Sequence, residues 1–158
     1  MRRKDREVTD LSEIRQILDK AQVLHLAMID GGKPYVVPLH YGYTLEEGRL
    51  TFFLHSAKEG RKLDVLQKNG AVAFVLETDV SMISGGELAC KYGSAYASVM
   101  GDGQAALLAD SAEKAKALQI LMNTQTGRDF VITQAMAESV AVIRVEVETF
   151  SAKARRKQ

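Results

Sequence analysis

The sequence has few of the residues that mark secreted or membrane proteins. It contains a single cysteine, Cys90, which cannot form a disulfide within the chain, so a reducing compartment is expected. No stretch approaches the roughly 20 apolar residues that span a bilayer. The charged opening, Met-Arg-Arg-Lys-Asp-Arg, leads into no apolar run of signal-peptide length. We therefore expect a cytoplasmic protein that has no contact with a membrane.

An excess of charge of one sign and the common catalytic motifs are also missing. The chain has 21 Lys and Arg against 20 Asp and Glu, and a net charge of +1 gives no overall field to attract nucleic acid. His25, His40 and His55 are spaced too widely for a zinc site. Neither a nucleophile elbow nor a Walker loop occurs. We expect no metal and no nucleic-acid partner, although a regulatory module whose basic ends contact nucleic acid is a remote alternative.

What is present is the composition of an ordinary globular domain. Hydrophobic residues make up 46% of the 158 residues and charged residues 26%, which excludes disordered and fibrous classes. The length fits one domain, residues 1–158. The basic tail, 152–158, follows the last periodic segment and is expected to fray.

The periodicity of apolar residues predicts both helices and strands. Spacings of three and four predict helices over 9–21, 56–70 and 110–123, and alternation or continuous apolar runs predict strands over 24–28, 34–45, 49–55, 71–77, 94–109 and 140–150. Residues 79–93 read as a loop, 128–138 as a loop or a short helix, and Gly101–Gly103 as a bulge. Six strands with so few crossover helices exclude a doubly wound sheet. The chain is therefore predicted to be mainly β, a small antiparallel barrel with flanking helices.

The junction between the third strand and the second helix is the first candidate site. Ser56 and Glu59 form a capping box, with Gly70 expected at the end of the helix. Free amides and the positive end of the helix dipole favour an anion there. Lys58, Arg61 and Lys62 disfavour the helix unless an anion compensates them, although a solvated helix face is the alternative.

Pro38 marks a second unusual position. Proline has no amide donor, so its strand lies at an edge of the sheet or carries a bulge. The apolar segment 36–41 and its unpaired backbone groups could bind the edge of a planar heterocycle. A proline that only protects an edge strand from aggregation is an equally good interpretation.

These two segments together resemble a known family. Residues 34–43, Pro-Tyr-Val-Val-Pro-Leu-His-Tyr-Gly-Tyr, and 53–64, Phe-Leu-His-Ser-Ala-Lys-Glu-Gly-Arg-Lys-Leu-Asp, are similar to the flavin-binding split barrels related to pyridoxamine 5′-phosphate oxidase. The chain start and residues 96–105 further resemble the nitroimidazole-resistance proteins within this group. The resemblance implies a six-stranded antiparallel split β-barrel.

The resemblance also implies a cofactor, a partner and site residues. It implies a homodimer that binds FMN at the subunit interface. In that arrangement Arg61 and Lys62 hold the phosphate, Ser56 assists, and His55 lies near the phosphate or ribityl chain. The flavin ring is lined by Pro38, Leu39 and His40 from one side and by Tyr96, Ser98 and Val99 from a neighbouring strand or the partner.

The function implied is that of an FMN-dependent oxidoreductase. Electrons pass from a reduced nicotinamide cofactor to the flavin and then to a small acceptor such as a nitroaromatic. The flavin carries the redox chemistry, which agrees with the lack of a catalytic acid–base pair. The alternative is a protein of the same fold that binds flavin or haem without turnover, with His40 and His55 on adjacent strands as possible haem ligands.

Overall fold

A computed structural model describes residues 3–157, in which the strands form one antiparallel sheet. Met1, Arg2 and Gln158, which belong to the expected domain and tail, lie outside the described residues. The strands are β1 (Glu7–Val8), β2 (Leu24–Asp30), β3 (Lys33–Leu39), β4 (Tyr41–Glu46), β5 (Arg49–Ser56), β6 (Ala71–Ile83), β7 (Gly93–Leu107) and β8 (Ala141–Arg155). The helices are α1 (Leu11–Lys20), α2 (Arg61–Lys68), α3 (Ser111–Thr126) and α4 (Gln134–Glu138), with short 3₁₀ turns at Lys4–Arg6 and Ala89–Lys91.

The sheet order is β3-β2-β6-β7-β8-β5-β4, and β1 pairs with β8. This confirms the mainly β architecture with flanking helices, with eight strands in place of the six predicted. The extra strands are β1 and one half of the predicted strand 34–45. None of the helices within residues 3–157 is long and apolar enough to cross a membrane.

The predicted strand 34–45 is two strands that separate at His40. β3 pairs with β2 at one end of the sheet order, and β4 pairs with β5 at the other. The break has a packing cause, since Tyr41 is fully buried and its hydroxyl lies 2.7 Å from the carbonyl oxygen of Leu18 in α1. The prediction that Pro38 lies at an edge is confirmed, because β3 has β2 as its one neighbour in the sheet.

One core fills the space inside the sheet. Alternate residues of β2 and β5 point into it, and Phe52 packs edge-on against Tyr41 and Phe74 with ring centroids 5.3 and 4.9 Å apart. Edge-to-face packing adds about 0.5–1.5 kcal/mol per pair to the burial of the rings. The core therefore joins β4 and β5, which are neighbours at one end of the sheet order, to β6, which is separated from β5 by β8 and β7.

Helix α2 is shorter than predicted at both ends. Strand β5 continues through Ser56, whose hydroxyl donates to the carbonyl of Ala57 at 2.8 Å, so no capping box forms. Gly60, with φ of 130°, precedes the helix, and Asn69 ends it. Gly70 is not in the left-handed conformation; it is a glycine because a Cβ there would lie 2.6 Å from the carbonyl oxygen of Ala105.

Two segments predicted as irregular are paired strands. β6 runs on to Ile83 after a register shift between Thr78 and Ser81, so the 79–93 loop is shorter than expected. β8 continues to Arg155, opposite Tyr96, so the tail does not fray over these residues. Pairing with β7 and β1 satisfies backbone groups that the sequence pattern left open.

The remaining elements agree with their predictions. The register shift between Asp102 and Gly103 confirms the bulge, and Asp10 accepts from the amides of Ser12 and Glu13 at the start of α1. The ambiguous segment 128–138 contains the short helix α4.

Candidate functional site

The start of α2 lies a few residues after the end of β5. No side chain caps the helix, and the amides of Leu63 and Asp64 donate to the carbonyl of Gly60 at 2.9 and 3.3 Å. The amides of Arg61 and Lys62 precede the first intrahelical bonds and therefore have no acceptor within the helix. The helix start thus combines two such amides with the positive end of the dipole. The anion site predicted from the sequence keeps its helix but shifts from residue 56 to residues 60–62.

Arg61 joins this helix start to the β2–β3 hairpin. Its Nε atom donates to Oδ2 of Asp30 at 2.8 Å, and its guanidinium carbon lies 4.1 Å from the centre of the Tyr35 ring. Cation–π and ion-pair contacts of this kind hold a guanidinium in one orientation. The strand that carries Pro38 is therefore attached to the helix that carries the cations.

The second cation, Lys62, is half-buried and shapes the field around two histidines. Burial lowers the pKa of Lys62. The pKa of His55 lies below its usual range because the ring is partly desolvated and because His40 and Lys62 place positive charge beside it. A bound anion would oppose both shifts, because negative charge stabilises the protonated forms of Lys62 and His55.

His40 and His55 are brought close together, as the strand arrangement suggested. Tyr41 of β4 lies opposite Leu54 of β5, and these strands are antiparallel. His40, which precedes Tyr41, therefore lies near His55, which follows Leu54. Nδ1 of His40 lies 3.0 Å from the carbonyl oxygen of Gln22 and so carries a hydrogen in the neutral ring, leaving Nε2 as the acceptor. Pro38 is exposed and Leu39 half-buried at the end of β3, beside His40.

The β7 residues of the predicted site lie apart from this group. Pro38 pairs with His25, His25 with Val75, and Val75 with Met100 in β7. Pro38 therefore lies three strand spacings, about 14 Å, from Met100. Val99 is fully buried in the core, so its side chain does not reach the surface. Tyr96 and Ser98 lie on the outer face, where Lys153 Nζ is 5.7 Å from the centre of the Tyr96 ring.

Ser98 is unusual among the buried residues. It is 5% exposed, and its hydroxyl has no hydrogen-bond partner within the described chain. A buried, unpaired hydroxyl costs free energy, so such a group points to a ligand or a second chain.

Seven of the ten predicted residues lie at the start of α2, the end of β5 and the end of β3, where His40 and Lys62 are close enough to act on His55, and the other three lie on β7. Those at the helix start, the end of β5 and the end of β3 are Pro38, Leu39, His40, His55, Ser56, Arg61 and Lys62. The sequence did not reveal Asp30 and Tyr35 as partners of Arg61, because both contacts depend on how the hairpin folds over the helix. The one available signal was that Tyr35 lies inside the segment that resembles the family.

Comparison with known proteins identifies the class. The family model for pyridoxamine 5′-phosphate oxidase matches residues 10–154, so the chain belongs to this family and has its flavin-binding split-barrel fold. A search of curated protein sequences found no match.

Solved structures give the particular relatives. A structure of a candidate 5-nitroimidazole antibiotic resistance protein from Bacteroides thetaiotaomicron VPI-5482 is 29% identical, with a TM-score of 0.78; the match covers 94% of this chain and 86% of that one. The flavocytochrome Anf3 from Azotobacter vinelandii is 23% identical, with a TM-score of 0.76 and coverage of 99% and 72%. The FAD and heme binding protein from Mycobacterium smegmatis is 15% identical, with a TM-score of 0.79 and coverage of 96% and 74%. The last two support the fold alone.

Proposed function

We propose that this protein is a cytoplasmic, homodimeric, FMN-dependent oxidoreductase that uses a reduced nicotinamide cofactor to reduce a small acceptor, such as a nitroaromatic. The observation that carries the proposal is an uncapped helix start that bears Arg61 and Lys62, with Lys62 beside His55 and His40, in a chain of this family. The 29% identity to the resistance protein from B. thetaiotaomicron supports the nitroaromatic acceptor.

The residues of the site fit the phosphate of FMN. Lys62 is half-buried, and the amides of Arg61 and Lys62 at the helix start have no acceptor within the helix, so charge and hydrogen-bond donors are present in the same two residues. Arg61 is oriented by Asp30 and Tyr35. Ser56 ends β5 and directly precedes the loop that leads to α2, so its hydroxyl lies at the start of this loop.

The edge strand would hold the ring. Pro38 has no amide to pair, and Leu39 and His40 place an apolar and a polar side chain beside it. When bound, FMN would supply two-electron transfer between the nicotinamide and the acceptor. The chain's part is to orient the cofactor and to set its electrostatic surroundings.

A second copy of the chain would complete the site. Tyr96 is half-buried on β7, and the hydroxyl of Ser98 on the same strand is buried with no partner within the described chain. Exposed apolar side chains lie on β6, on β7 and on the segment that connects them, at Val80, Leu88, Tyr92 and Met100. We propose that this surface forms the dimer interface, so that the partner chain brings these β7 residues to the cofactor.

The visible spectrum of the purified protein tests the proposal. FMN bound by the protein should bleach when a reduced nicotinamide cofactor is added and recover when a nitroaromatic is supplied, and light scattering should give twice the chain mass. Protein that neither contains flavin nor takes up FMN contradicts the proposal.

Binding without turnover is a second candidate, favoured by the pair His40 and His55. The acceptor nitrogen Nε2 of His40 and the lowered pKa of His55 leave imidazole nitrogens available as ligands for haem iron. A haem absorption band that is lost in H55A, with no oxidation of reduced nicotinamide cofactor, would favour this function.

A further inference from the structure

The first and the last residues that the structure describes line one cavity. β1 pairs with β8, with Glu7 opposite Lys153, so the segment before β1 lies beside the end of β8. The cavity there has a volume of about 810 Å³ and is lined by residues from 3–6, 82–84 and 154–157. It lies at the opposite end of β8 from His55, which pairs with Val142, and it shares no residue with the proposed flavin site.

The lining of this cavity is strongly basic. Five cationic side chains line it, Arg3, Arg6, Arg155, Arg156 and Lys157, against one carboxylate, Asp5, which gives a formal charge of +4. The chain as a whole carries +1. Charge of one sign is thus concentrated where the two ends meet, although each basic segment alone looks like a solvated end.

Carboxylates balance a minority of these cations. Arg3 is paired with Asp5 at 2.6 Å, and Arg156 with Glu13 at 2.5 Å. Arg6 is 21% exposed at its side chain, with its Nε 3.9 Å from Asp5. Arg155 and Lys157 have no carboxylate within 4 Å among residues 3–157. Counting Glu13, the excess is about three positive charges, which a bound anion would balance.

Arg155 is held in place by the fold. It lies at the paired end of β8, opposite Tyr96, and its guanidinium packs over the backbone of Gly93, where any Cβ would collide with it. The side chain is half-buried. No hydrogen bond or ion pair to another side chain within residues 3–157 occupies its guanidinium donors, which leaves them available to a phosphate.

We propose that this cavity binds the diphosphate group of a nucleotide. A nucleoside diphosphate carries about three negative charges at neutral pH, one more than a phosphate monoester, and so matches the excess charge. The volume is that of a small-ligand site. Met82 and Ile83 give one wall an apolar surface for the nucleoside. A terminal diphosphate of this charge occurs in free nucleoside diphosphates, whereas the bridging diphosphate of dinucleotide cofactors carries about two negative charges and matches the excess less closely.

Calorimetric titration of the purified full-length protein with ADP tests the proposal. ADP should bind in low salt, adenosine should not, and R155Q and R6Q should each weaken ADP binding roughly 10- to 100-fold. K116Q removes one exposed charge on α3, outside this cavity, and should leave the affinity unchanged. Thermal unfolding verifies that each variant is folded, and R155K should retain part of the affinity that R155Q loses.

Competition identifies the source of the diphosphate. Displacement of ADP by reduced nicotinamide dinucleotide or by FAD assigns the site to that cofactor, and displacement by neither assigns it to free nucleotides. Absence of ADP binding to the folded protein, or equal affinity in R155Q and K116Q, overturns the proposal. Because Arg155 pairs with Tyr96, FMN binding is measured separately on the same variants and on K62A, so loss of ADP binding with FMN binding retained, or the reverse, shows which of the two proposals fails.

Discussion

Removal of either cation at the start of α2 separates phosphate recognition from every other contact with the flavin. K62A and R61A are each expected to weaken FMN binding while leaving riboflavin, which lacks the phosphate, nearly unaffected. K68A is the matched control, because Lys68 has the same charge at the other end of the same eight-residue helix.

The structure sets the size of the effect. A hydrogen bond to a charged group contributes about 1.5–3 kcal/mol, which corresponds to a loss of about 10- to 150-fold in affinity for FMN. The pair between Arg61 and Asp30 is 58% and 35% exposed, so its loss lowers the free energy of unfolding by about 0.2–1 kcal/mol. Lys62 is in no such pair within the described chain, which makes K62A the cleaner measurement.

Quenching of flavin fluorescence gives both affinities, and urea unfolding verifies the fold of each variant. The reasoning is refuted if FMN and riboflavin lose affinity equally in K62A, or if K68A behaves as K62A does. Either result would place the phosphate elsewhere.

Three further predictions concern single groups. Because the pKa of His55 is lowered in the folded chain, the unfolded chain binds a proton more readily. The free energy of unfolding should therefore fall as the pH drops below about 6.5. Urea unfolding should show a smaller fall in H55Q. Y41F removes a buried hydroxyl that serves two carbonyls at the end of α1, and should lower the free energy of unfolding by about 1–3 kcal/mol, measured the same way. S98A should not destabilise the isolated chain, because its hydroxyl has no partner there; a loss above about 1 kcal/mol would reveal one.

Local patterns predicted most of the fold. The strands and helices recur at their expected places because alternation and helical spacing reflect which faces are buried, as in β5 with Leu50, Phe52 and Leu54 inside. The periodicity of apolar residues did not predict the long-range pairing of strands. The end of β8 is polar and basic, and its pairing with β7 and β1 has no local signature.

The division of the predicted strand 34–45 shows the same limit in the candidate site. The sequence indicated that Pro38 lies at an edge of the sheet or in a bulge, and the edge position was correct, although Pro38 lies in regular register with His25 of β2. It did not show that the chain would leave the edge after Leu39, because the cause lies in the burial of Tyr41 under α1. The strand-like pattern of residues continues across His40. The break between β3 and β4 is therefore visible only in the packing of Tyr41.

This break gives the proposed site its geometry. Because β3 and β4 lie at opposite ends of the sheet order, the residue between them, His40, is the point where the two ends approach each other. β5 pairs with β4 and so brings His55 to that point, and the loop after β5 leads directly into α2. Arg61 ties the start of α2 to Asp30 at the turn of the β2–β3 hairpin, about 20 Å along β2 from Leu24, and Lys62 lies on the side of His55. A flavin phosphate at α2 would therefore lie at the mouth between the two ends, where backbone of the edge strand is still unpaired and can contact the ring.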